Sequence, residues 1–81
     1  MSGPSRQTVL EEVLTFAIES AIEARDKADS DLFQSGLLMA YYNVISNAKE
    51  EAQAMGVKFS DKTIAAFDPD EELLNYRKQA A

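Results

Sequence analysis

The chain has 81 residues, with 14 acidic against 8 basic side chains, a formal net charge of −6, and neither Cys nor His. That length makes one domain, able to bury only roughly 60–65% of the surface its unfolded form exposes. The missing residue types exclude disulfides, thiolate or imidazole metal sites and His-based nucleophilic catalysis. The acidic balance argues against direct binding to nucleic acid or anionic lipid.

Residues 1–7, with Gly3 and Pro4, read as a flexible N-terminus ahead of a single all-helical domain over 8–81. They contain no apolar h-region, and no apolar run elsewhere is long enough for a membrane span; the expected location is cytoplasmic. Helix one is predicted over about 8–28. Thr8 and Glu11 have the spacing of a capping box, and Val9, Leu10, Val13, Leu14, Phe16, Ala17, Ile18, Ala21, Ile22, Ala24 and Ala28 recur at helical spacing. Asp29-Ser30-Asp31 makes a turn and supplies caps. Helix two is predicted over about 31–55, although Gln34-Ser35-Gly36 leaves open a start near 35. Its stripe is Phe33, Leu37, Tyr41, Val44, Ile45, Ala48, Ala52 and Met55, with Leu38 and Tyr42 at one margin. Gly56 sits where a left-handed residue stops the helix, with Val57 folding back in a Schellman motif.

The last third is weaker. Ser60 can cap a short helix over about 60–67, and Asp68-Pro69-Asp70-Glu71 starts a final one over about 69–79, with Arg77 and Lys78 at its end. A short turn between two long helices makes an antiparallel hairpin, which Phe59, Ile64, Phe67, Leu73 and Leu74 would cross. The predicted architecture is a small all-α bundle.

Chemistry is sparse. Asp26, Asp29 and Asp31 lack the order of a calcium loop and read as capping acids, and Asp68 to Glu72 fits the first turn of a helix. Gly36-x-x-x-Ala40 reads as a close helix crossing. No metal, cofactor or small-molecule substrate is implied, and no enzyme activity is expected. The hairpin outline resembles TPR and HEPN domains, but there is no 34-residue repeat and no His for the second.

Surplus hydrophobicity remains. The apolar arc of helix one exceeds what one core needs, with Leu14, Ile18 and Ile22 on one flank, and Met39 and Tyr42 lie outside the main stripe of helix two. The expectation is a non-enzymatic protein–protein interaction module that homodimerises through Leu14, Ile18, Ile22, Met39 and Tyr42, unless the C-terminal helices cover them. The alternative is an acidic inhibitor or immunity-type protein that masks a basic partner surface through Glu12, Glu19, Glu23, Glu50 and Glu51.

Overall fold

The computed structural model describes residues 6–75, all of them helix, turn or loop. Helix α1 is Arg6–Lys27 and α2 is Leu32–Ala54, joined through a 3₁₀ turn at Ala28–Ser30. After a loop come α3, Lys62–Ala66, and a wide helical turn, Asp70–Leu74. The molecule measures 49 × 22 × 22 Å, a cross-section of about two helix diameters each way. The hairpin is one layer and the segment 57–75 lies across one of its two faces.

Local chemistry explains most boundaries. Asp31 caps α2 by accepting from the Phe33 N–H at 2.9 Å, so the helix starts there and Ser35-Gly36 is interior. At the other end Gly56 takes φ 73°, and the Val57 N–H returns to the Ala52 carbonyl at 2.8 Å, the long bond of a Schellman stop. Asp68 accepts from the Asp70 and Glu71 N–H groups at 3.0 and 3.3 Å, as an N-cap before Pro69 should. The helix started there closes through an Asn75 N–H to Asp70 carbonyl bond of 2.8 Å, the i→i+5 pattern of a π turn. The remainder of the helix expected over 69–79, with Tyr76, Arg77 and Lys78, falls outside the described residues.

Three expectations are corrected. Helix α1 already includes Arg6, so Thr8 is interior, and Glu11 does not reach back to it. Its carboxylate instead accepts from the N–H groups of Ser60 and Asp61 at 2.5 and 3.1 Å. The cap of α3 is Asp61, which accepts from Thr63 and Ile64, in place of Ser60. A Cβ built on Gly36 would meet nothing within 4 Å, so Gly36-x-x-x-Ala40 marks no helix crossing.

The core joins Leu14, Ala17, Ile18 and Ala21 of α1 to Ile45 of α2 and to Ile64, Phe67 and Leu73 of the crossing segment. Leu14, Ile45 and Ile64 are fully enclosed, each contributing about 1.5–3 kcal/mol of transfer free energy. The core line of α2 runs through Leu38, Ile45 and Ala52, a seven-residue spacing. It lies to one side of the stripe read from the sequence, and Phe33, Val44 and Met55 are left outside at 69, 54 and 75% exposure.

Side chains of the hairpin hold the crossing segment by its main chain. The Gln7 amide donates to the Lys58 carbonyl at 2.7 Å, and Arg25 Nη1 donates to the Glu72 carbonyl at 3.1 Å. The Lys49 ammonium donates to the carbonyls of Ile64, Ala65 and Phe67 at 2.5, 3.3 and 2.7 Å, capping the C-terminal end of α3. Burial pushes the Lys49 amine below its ordinary 10.5, with Asp68 nearby acting the other way.

Candidate functional site

The structure takes the expected apolar patch out of solvent. Leu14 and Ile18 are 1 and 5% exposed and belong to the core, and Ile22 packs against it. The Tyr42 ring also packs there, and its hydroxyl donates to the Asp70 carboxylate at 2.5 Å. Only Met39 keeps an exposed side chain, at 45%. The physical reason is the segment 57–75: Ile64, Phe67 and Leu73 fill the flank that the sequence left bare.

Glu12, Glu19, Glu23, Glu50 and Glu51 are all exposed. At 100° per residue each lies more than about 100° from the core-facing residue of its helix. The α1 trio and the α2 pair therefore sit toward opposite edges of the hairpin and do not form one acidic surface. Glu23 also accepts from Lys27 at 3.0 Å.

Of the aspartates considered as calcium ligands, Asp26 pairs with Arg25 at 3.1 Å and Asp31 caps α2. Among the described residues no three carboxylates converge on one point. No described helix is long and apolar enough to cross a membrane.

A different surface is bare. Val9, Val13 and Phe16 on α1 are 50, 56 and 67% exposed, matching Phe33, Val44 and Met55 on α2. The residues that contact the crossing segment are Gln7, Glu11 and Arg25 on α1, and Tyr42 and Lys49 on α2. On each helix the exposed apolar residues lie about 120–180° around from these contacts. All six therefore share the face opposite the segment. Taking a whole aromatic side chain as roughly 200 Å², their exposed fractions amount to on the order of 600 Å² of apolar surface. That is at the upper end of what a monomer displays and close to the roughly 800 Å² per partner of a standard interface.

The covered side holds a recess of about 450 Å³, lined in part by Tyr42, Ser46, Lys49, Phe59, Ala65 and Pro69. Above it the Tyr42 hydroxyl is held above its ordinary 10.0, first by its bond to Asp70, with Ser46 opposing. Its lining is mixed, with Glu50, Lys58 and Asp70 beside the apolar Ala52 and Val57, and the Lys49 ammonium is already engaged with main-chain carbonyls.

Sequence reasoning identified every residue of the bare face as apolar but assigned them to the core. The signal that separates them is the width of the arc: one helix-wide core cannot take Val9 and Phe16 together with Leu14 and Ile18, which lie on opposite sides of α1. Comparison with protein-family models, curated proteins and solved structures finds no match for this chain.

Proposed function

We propose that this protein is a non-enzymatic interaction module that self-associates through the bare face of its hairpin, Val9, Val13, Phe16, Phe33, Val44 and Met55. The observation that carries the reading is the placement of six large apolar side chains on one side, opposite the segment that completes the core. An area of this size kept in water opposes solubility, whereas a second copy would bury it symmetrically. Charges of both signs stand among these residues, with Lys27 in line with Val9, and Glu12 and Glu23 beside Phe16, on α1, and Glu51 in line with Phe33 on α2.

The test is solution mass by light scattering on a sizing column, at low salt and at about 0.5 M, where surface charge pairs are screened. A dimer that survives salt is expected, because apolar burial is not screened. Phe16→Glu should give a monomer with unchanged far-UV circular dichroism. A wild-type monomer over a wide concentration range would remove the proposal. The reading as an acidic inhibitor would show instead as partner binding lost steeply with salt, and the separation of its five acids onto two edges favours the apolar face.

A further inference from the structure

We infer that the segment 57–75 can be exchanged between copies: the groove it fills accepts the same segment of a second chain, with Gly56 as the hinge. This association uses the covered side of the hairpin and does not depend on the bare face.

The segment supplies Ile64, Phe67 and Leu73 to the core. A hairpin without it leaves Leu14 and Ile18 in water, and the segment of any copy restores the same burial. The ties made by Gln7, Glu11, Arg25 and Lys49 all reach main-chain groups of the segment. Each recurs unchanged when the segment comes from a partner.

The link to the hairpin runs through Gly56, the one described residue with a positive φ, at 73°. A Cβ built there would meet nothing within 4 Å. A side chain at this position therefore meets no neighbour, and its cost lies in the left-handed backbone alone. Straightening the joint removes that cost and gives up the Val57 N–H to Ala52 carbonyl bond.

The joint also stands in the right place. Gln7 holds the Lys58 carbonyl and the Ser60 hydroxyl at the end of the hairpin remote from the turn. Two hairpins meeting end to end there bring the starts of their grooves together. From Met55 to Lys58 an extended chain spans about 10 Å, one helix diameter, so a straightened link crosses from one groove to the next. Both forms bury the same core, and the state of the joint and the concentration set the balance. A short link holds its own segment at an effective concentration of order millimolar, so the wild-type chain stays closed well below that.

The test is made in a Phe16→Glu background, where the bare face cannot associate, so this inference and the self-association reading fail separately. Adding Gly56→Val puts a β-branched residue in the left-handed region, a penalty of about tenfold per chain and so about a hundredfold per dimer. At about 0.1 mM the double variant is expected to be mainly dimeric in light scattering, where Phe16→Glu alone is a monomer. In the same background, Ile18→Glu spoils the groove and Ile64→Asp spoils the segment. Mixed, the intact groove of one chain takes the intact segment of the other, and a cooperative melt absent from either alone is expected by circular dichroism. A Gly56→Val chain that stays monomeric with wild-type helicity, or a mixture that melts as the sum of its parts, overturns the exchange.

Discussion

The Lys49 ammonium of α2 lies 2.7 Å from the Phe67 carbonyl oxygen, at the point where the crossing segment leaves α3. One flexible cation thereby closes a five-residue helix that has too few internal hydrogen bonds to stand alone.

Lys49→Met keeps the apolar stem and removes the donor. The Ile64 and Phe67 carbonyls then lose a charge-assisted bond, at a cost of about 2 kcal/mol. The urea midpoint should fall with an unchanged slope. A midpoint equal to wild type would show that water replaces the ammonium without loss.

Tyr42→Phe tests the tie between α2 and the turn at Asp70. A hydroxyl whose folded-state pKa is raised contributes stability that is complete below its ordinary 10.0 and is lost as pH rises through the folded value. Wild type should therefore melt above the variant near pH 7, with the gap narrowing only above about pH 10. A gap constant from pH 7 to pH 11 would contradict the contact.

Gly36 is exposed in the interior of α2 with open space around its missing Cβ. Gly36→Ala should stabilise by roughly 0.5–1 kcal/mol through helix propensity and the entropy of the unfolded chain. In a domain of this size that raises Tm by about 4 °C. A lower Tm would mean that Gly36 has a role in an assembly.

Phe16 and Ile18 are two residues apart yet predict opposite outcomes. Ile18→Glu puts a carboxylate where the side chain is 5% exposed, at a cost of about 3 kcal/mol or more against a total stability of order 5–15 kcal/mol. Circular dichroism should show loss of helix. Phe16→Glu, at 67% exposure, should keep its helicity and lower the solution mass. Equal loss of helix in both would place Phe16 in the fold.

Much of the architecture was legible because its signals are local. Asp31, Gly56 and Asp68 act within a few residues of themselves, and each ends or starts a helix where its side chain or φ requires. Which flank of α1 is covered was not legible, since that depends on Ile64, Phe67 and Leu73 arriving from about fifty residues away. The α2 stripe was misplaced for the same reason. Phe33, Val44 and Met55 pull an apolar average toward solvent, whereas Lys49, a charged residue, belongs on the covered side. No pattern rule places an ammonium there; it is stable because three main-chain carbonyls converge on it. Glu11 is a similar case, since a capping-box carboxylate and a carboxylate that grips a distant loop look alike in one dimension.

The grip on segment 57–75 has one further consequence. Gln7, Glu11, Arg25 and Lys49 all take hold of peptide groups, which every residue type presents. The outward positions of that segment, such as Lys62, Thr63 and Ala66, are therefore free to be rewritten without loosening its attachment. Natural drift or a designed library could vary this surface while four residues elsewhere hold the chain path constant.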